Sequence, residues 1–122
     1  MALIDYAAAL KRLGNDVGLM REMAEILLED APERLAEFRS AMQKRDFPTA
    51  GRAAHALKGL ALNFGAQRAA KAGEALERGA LRTNFDIEAA AAELEAAFAE
   101  LLPTIEQLAH ADHGPYEVRS DA

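Results

Sequence analysis

The chain has 122 residues and a formal net charge of −6, and it contains no cysteine. This length fits a single domain with its own core, and the lack of cysteine excludes disulfides, thiolate metal sites and a cysteine nucleophile. The acidic balance argues against general binding to nucleic acid, because neutralising phosphates requires clustered cations. Alanine, leucine, glutamate and arginine dominate the composition, which favours an all-α protein.

Nothing in the sequence suggests insertion into a membrane or export. No stretch approaches the roughly 18 consecutive apolar residues that a membrane span needs. The amino terminus carries Asp5 close to its start and lacks a basic segment followed by an apolar run. We therefore expect a cytoplasmic protein that does not bind membranes.

Two helices are predicted in the amino-terminal part. Apolar residues at helical spacing within residues 3–13 predict a short helix that packs across one end of the molecule and ends at Gly14-Asn15. Either Asn15 or Asp16 could cap the long helix that follows. Its apolar stripe keeps its phase across Pro32, which favours one helix with a kink at the proline over two helices broken at residues 30–32. The stripe consists of Val17, Met20, Met23, Ala24, Leu27, Ala31, Leu35, Phe38 and Met42.

The third predicted helix follows a short connection at residues 44–48, where Pro48 fits the first helical turn. Short connections make neighbouring helices antiparallel. This helix is expected to end near Asn63. His55 lies outside its apolar stripe and is therefore expected to be exposed. The stripe consists of Ala50, Ala53, Ala54, Leu57, Leu60, Ala61 and Phe64.

Two more helices complete the prediction. Gly65 provides a turn into a fourth helix over residues 66–78, whose stripe of small residues permits close approach of a neighbouring helix. After a loop at residues 79–84, Thr83 and Asp86 resemble a capping box for the last helix, in which Pro103 introduces a kink near the end. The small-residue stripe is Ala69, Ala72, Gly73, Leu76 and Ala80, and the stripe of the last helix is Ile87, Ala91, Leu94, Phe98, Leu101, Ile105 and Leu108.

The predicted fold is an antiparallel four-helix bundle with a short additional amino-terminal helix. This bundle occupies residues 1–110, and residues 111–122 are expected to form a flexible tail because they contain too few apolar residues to pack.

The exposed face around His55 is basic and poor in bulky side chains. Gly51 and Gly59 lie one turn before and after it, and Lys58 lies on the same face. Residues 51–82 contain six basic and two acidic residues, a net charge of +4, so the rest of the chain carries −10. An antiparallel turn at Gly65 brings residues 71–78 level with the histidine.

This arrangement is suited to phosphoryl chemistry. A neutral imidazole is a good nucleophile toward phosphorus, and it titrates near neutral pH. The ammonium group of Lys58 could neutralise charge on a phosphorylated ring. Lys71, Glu74 and Arg78 are candidates to orient His55 or to contact a partner. Each of these residues alone would usually be an ordinary surface residue, so the combination carries the prediction.

Metal sites are less well supported. His110, Asp112, His113 and Glu117 could be assembled into a site, but a flexible tail holds ligands poorly. The chain contains no Glu-x-x-His pair of the kind found in di-metal bundles. We therefore expect no metal or other cofactor on this chain.

The segment around the histidine resembles the signature of histidine-containing phosphotransfer (HPt) domains, the helical intermediates of phosphorelays. The sequence meets the family pattern His-x-Leu-Lys-Gly, followed after a short spacer by Gly-Ala. The resemblance extends over roughly residues 5–108. Leu60 departs from it, since many members have a small residue there, and the apolar stripe places Leu60 in the core. The matching residues are His55, Leu57, Lys58, Gly59, Gly65 and Ala66.

The resemblance implies a four-helix bundle that acts in two-component signal transduction. His55 would accept a phosphoryl group from the aspartyl phosphate of a receiver domain, or from a kinase, and pass it to another receiver aspartate. Lys58 would stabilise charge. The receiver would supply Mg²⁺. Partner contacts are expected at Arg52, Gly59, Leu62, Gln67, Lys71 and Arg78.

The expected partners are response-regulator receiver domains and a histidine kinase, which could be a hybrid kinase, and the chain itself is expected to be a monomer. Autonomous kinase activity is not expected, because the sequence contains no Gly-rich phosphate loop. The alternative function is that of an adaptor, which docks on receiver or kinase domains through the same face without carrying phosphate.

Overall fold

Five helices form in the computed structural model, which describes residues 3–110. They are α1 (Tyr6–Arg12), α2 (Val17–Gln43), α3 (Phe47–Leu62), α4 (Gln67–Gly79) and α5 (Ile87–His110). Residues 3–110 contain no strand, so the predicted all-α class is confirmed. The predicted tail lies outside the described residues.

Aspartate side chains determine where most helices begin, because their oxygens accept hydrogen bonds from N–H groups that lack partners in the first turn. Asp5 accepts from Ala8 N at 3.1 Å, so α1 starts at Tyr6 rather than at residue 3. Of the two candidate caps for α2, the one in use is Asp16, which accepts from Leu19 N at 3.0 Å.

The predicted capping box before α5 is wrong. Asp86 accepts a hydrogen bond from Ala89 N at 3.1 Å and therefore stands at the cap position itself. Thr83 belongs to the preceding loop. Asp46 caps α3 in the same way, with its carboxylate 3.3 Å from Thr49 N, and Pro48 lies in the first turn as predicted.

The two internal prolines do not break their helices. Pro32 lies within α2 and Pro103 within α5, and both rings are exposed. On the solvent side, the carbonyl that loses its helical donor can bond to water. The prediction of one continuous second helix is therefore confirmed.

The four long helices pack in a ring around one core. Both α2 and α4 contact α3 and α5, and α1 contacts α2. The connections at residues 44–46 and 63–66 are short, which makes these neighbours antiparallel. Leu60, predicted to lie in the core, is only partly buried at its edge. The largest fully buried side chains are Phe38, Phe64, Phe98, Met20, Leu27, Leu57, Leu76, Leu94, Leu101 and Ile105.

Gly73 sets the distance between α3 and α4. A Cβ atom at this position would lie 2.9 Å from the carbonyl oxygen of Ala54 and 3.0 Å from Cβ of Lys58, closer than side chains normally pack. The predicted close approach at the small-residue stripe is thus realised, and it brings the backbone of α4 directly against the helix that carries His55.

Helix α1 lies across the end of the bundle where α3 turns into α4. The guanidinium of Arg12 donates to the carbonyl oxygens of Leu62 and Asn63 at 3.1 and 3.0 Å. The N–H of Asp5 donates to Phe64 O at 2.9 Å. Gly65 has a φ of +61°, and a side chain there would also collide with Asp5. None of the helices between residues 3 and 110 has the length and apolar character needed to cross a membrane.

Candidate functional site

His55 lies on the outer face of α3 with its ring accessible. Its side chain is 64% exposed, as the apolar stripe predicted. The ring is held at one point only among the described residues: Nδ1 lies 2.7 Å from Oε2 of Glu77, which projects from α4.

Glu77 links the histidine to Lys58. Its second oxygen, Oε1, accepts a hydrogen bond from Nζ of Lys58 at 2.8 Å. These contacts lower the pKa of Glu77, chiefly through the hydrogen bond from Lys58 and then through His55. The carboxylate is therefore ionised at neutral pH and binds both groups at once.

The closeness of α3 and α4 makes this arrangement possible. Gly73 precedes Glu77 by four residues, so both lie on the face of α4 that is turned toward α3. Backbone contact at Gly73 brings Glu77 within reach of two residues of α3 that are three positions apart. A larger residue at position 73 would push this face of α4, and Glu77 with it, away from α3.

The Glu77 contact selects one protonation form of the ring. An ionised carboxylate only accepts hydrogen bonds, so Nδ1 of a neutral His55 must carry the proton. The other nitrogen, Nε2, then has a free electron pair. Since the ring is largely exposed, this pair is available to an electrophile approaching from solvent.

Two depressions lie on either side of the Glu77 clamp, that is, the group formed by His55, Lys58 and Glu77. One, of about 600 Å³, includes His55, Glu77 and Arg52 in its lining. The other, of about 260 Å³, is lined by Lys58 and Leu62 of α3, by Gly65 and by residues of α4. The second depression brings together three of the predicted contact residues: Leu62, Gln67 and Lys71.

The other predicted contact residues are exposed like Leu62, but they differ in the contacts that their side chains make. Arg52 donates to Thr49 Oγ1 at 3.0 Å. Gly59 is exposed, and a Cβ there would meet nothing within 4 Å, so no contact within the described chain requires a glycine. Arg78 pairs with Glu74 at 3.1 Å and lines neither depression. Leu62 is 53% exposed.

The basic region predicted from the sequence is smaller than its net charge suggests. Arg68 forms ion pairs with Glu93 and Glu100 of α5, both at 2.8 Å, and thus serves the contact between α4 and α5. Within residues 3–110, Lys71 and Arg82 form no ion pair, and they remain as exposed cations with Arg52.

Glu77 is the site residue that sequence reasoning missed. Lys71, Glu74 and Arg78 were the candidates to orient His55, whereas the side chain in contact is the one just before Arg78. A signal was present, since Glu77 is one of only two acidic residues in the basic stretch 51–82. Helical spacing from Gly73 in the small-residue stripe would have favoured it over Glu74.

No group of three or more His, Asp or Glu side chains in the described part of the chain is arranged to hold a metal ion. Of the tail residues considered for a metal site, Asp112, His113 and Glu117 lie outside that part.

Comparison with known protein families gives one result. A family model, the Hpt domain, matches residues 22–111. The matched region starts within α2 and contains all of α3, α4 and α5, so α1 precedes it. No curated protein and no solved structure is significantly similar to the chain.

Proposed function

The chain belongs to the Hpt domain family, whose members carry phosphoryl groups in phosphorelays and interact with receiver domains and histidine kinases, and on this basis we propose that His55 is its phosphoacceptor. His55 takes the phosphoryl group from the aspartyl phosphate of one receiver domain, or from a kinase, and passes it to the aspartate of another receiver. One observation carries the proposal: an exposed imidazole whose Nδ1 is bound by Glu77 and whose Nε2 is free.

The transfer step needs no proton to leave the chain. The electron pair of His55 Nε2 forms a bond to phosphorus while the bond from phosphorus to the aspartyl oxygen breaks, and the aspartate departs as a carboxylate. The proton stays on Nδ1, so the ring gains one positive charge. Ionised Glu77 lies 2.7 Å away and stabilises that charge. Transfer to the second receiver is the same step in reverse.

Lys58 supports the step in two ways. Its ammonium holds Glu77 at 2.8 Å, which fixes the carboxylate that orients the ring. It also places a cation one helical turn from His55, where it adds positive charge near the phosphorylated ring. The Mg²⁺ of the reaction belongs to the receiver domain, and this chain contributes orientation and charge.

The test is phosphoryl transfer to the purified chain. A panel of receiver domains, each phosphorylated on its aspartate with labelled acetyl phosphate, is mixed with the wild-type chain and with His55→Gln. We expect an acid-labile, base-stable label on the wild type and none on the variant. His110→Gln is the matched control, since His110 is also exposed, and it should be labelled like the wild type. Label that persists in His55→Gln would refute the assignment.

The same variant separates this function from that of an adaptor. An adaptor would bind the receiver and support the pathway equally well with glutamine at position 55. A phosphoryl carrier would bind the receiver but lose all output of the pathway in His55→Gln.

A further inference from the structure

A groove of about 600 Å³ opens beside His55, on the side away from the contact residues predicted at Leu62 and Lys71. It runs between the start of α3 and the end of α4. His55 and Glu77 form one wall, and the far end is apolar. The lining consists of Phe47, Pro48, Gly51, Arg52, His55, Glu77, Ala80 and Leu81.

Leu81 is the most unusual residue of this groove. It directly follows the buried Ala80 and is 74% exposed, more than any other large apolar side chain in residues 3–110. Leu81 is therefore not part of the core of the bundle. With the exposed Pro48 and partly buried Phe47 it gives the groove an apolar end next to the candidate phosphoacceptor.

The charge around the groove indicates what could cover it. Arg52 belongs to the lining and Arg82 follows Leu81 in the chain, and both are exposed. Two cations beside an apolar surface complement a partner that has apolar side chains next to an acidic site. The phosphorylated aspartate of a receiver domain is an anionic group that would provide the acidic part of such a partner.

We propose that this groove is a docking surface for the receiver domain, and that Leu81 anchors an apolar side chain located beside the receiver's phosphorylated aspartate. The proposal rests on the proposed function of His55. Because Nε2 must come within bonding distance of the phosphorus, the receiver surface around its aspartate has to cover the groove that His55 itself lines. Leu81 then determines how well a given receiver fits.

The experiment uses the chain phosphorylated without any protein partner. Wild type and Leu81→Ser are labelled on histidine with phosphoramidate, and loss of label to a purified receiver domain is followed at increasing receiver concentration. We expect equal chemical labelling. We also expect a KM for the receiver that is raised about tenfold in Leu81→Ser, with kcat unchanged, as for loss of one apolar anchor.

Two further variants make the result specific. Leu81→Met retains an apolar side chain and should restore the wild-type KM. Leu19→Ser removes another exposed leucine, 37% exposed, at the opposite end of the bundle, and should leave KM unchanged. An unchanged KM in Leu81→Ser, or an equal increase in Leu19→Ser, would overturn the proposal. Failure of the wild type to accept label on His55 would instead refute the proposed function.

Discussion

At the scale of single residues, the site depends on one carboxylate with two partners. Glu77 fixes the orientation and the protonation form of His55. The hydrogen bond from Lys58 lowers the pKa of Glu77 and so keeps the carboxylate ionised. In metal sites, residues that orient a ligand histidine typically change affinity or activity by about ten- to a hundredfold when they are altered, and Glu77 orients His55 through the same kind of hydrogen bond. The reactivity of His55 should therefore depend on Glu77 as well as on its own exposure.

We predict that Glu77→Gln slows labelling of His55 about tenfold, because the amide still reaches Nδ1 but no longer compensates the charge that the ring gains. Glu77→Ala should be slower still, and nitrogen NMR should show that its His55 ring no longer favours the Nδ1–H form. The measurement is the initial rate of label transfer from a phosphorylated receiver domain. Glu74→Gln, which alters the other acidic residue of α4, is the control, and an equal loss there would contradict the prediction.

The pKa of Glu77 predicts how stability depends on pH. This pKa is lower in the folded chain than its ordinary value of 4.5, so the folded state favours the ionised form. Its contribution to the free energy of unfolding is therefore present above the ordinary value and is lost as pH falls through the lowered pKa.

Denaturant unfolding of the wild type and Glu77→Gln from pH 7 to pH 3 tests this dependence. The difference in unfolding free energy between the two proteins should shrink as the solution becomes more acidic than pH 4.5. A difference that does not change across this range would show that ionisation of Glu77 contributes nothing to stability.

At the scale of helices, the contact between α3 and α4 determines whether the clamp forms. The helices touch at Gly73 with no room for a side chain, whereas Gly59 on the exposed face of α3 has open space around it. The two glycines therefore have opposite roles in the fold, although both lie in helices.

We expect Gly73→Ala to destabilise the chain by about 1–3 kcal/mol, because the added methyl group forces α3 and α4 apart. Gly59→Ala should stabilise it by up to about 1 kcal/mol, since alanine is the better helix former and nothing obstructs it. Thermal and denaturant unfolding measure both changes. Gly73→Ala should also slow labelling of His55 because Glu77 moves away, and a variant with normal stability and labelling would contradict the close contact.

At the scale of the whole molecule, α1 supports the turn that precedes α4, although it lies before the region that matches the Hpt domain. Ile4, Tyr6 and Ala9 are buried, and Arg12 bonds the last carbonyls of α3. This helix therefore contributes to the core and to the end of the helix that carries His55.

We predict that a chain starting at residue 14 is less stable by about 3–5 kcal/mol, chiefly because it loses the buried side chains of Ile4 and Tyr6 and the hydrogen bonds of this segment. Arg12→Ala should cost only about 1 kcal/mol, because it removes the hydrogen bonds alone. Denaturant unfolding compares the three proteins. Equal stability of the shortened and full chains would mean that α1 does not support the bundle.

The monomeric state, the cytoplasmic location and the flexibility of the tail remain predictions.

The sequence by itself determined the helices and the exposure of His55, because both follow from local rules. Apolar residues at helical spacing define which face of each segment is buried, and aspartates and glycines mark the ends. The chain matches the Hpt domain family, as the motif around His55 predicted. Errors in this part were small and local, such as the cap at Asp86 and the partly buried Leu60.

Only the tertiary structure decided which charges meet. Whether Glu77 or Glu74 reaches His55 depends on the register of α4 against α3, which places Gly73 directly against Ala54 and Lys58. Pairing of Arg68 with α5 depends on which helix lies next to α4. The apolar groove at Leu81 depends on the path of a loop. Helical spacing carries no information about these relations, because they join residues that are distant along the chain.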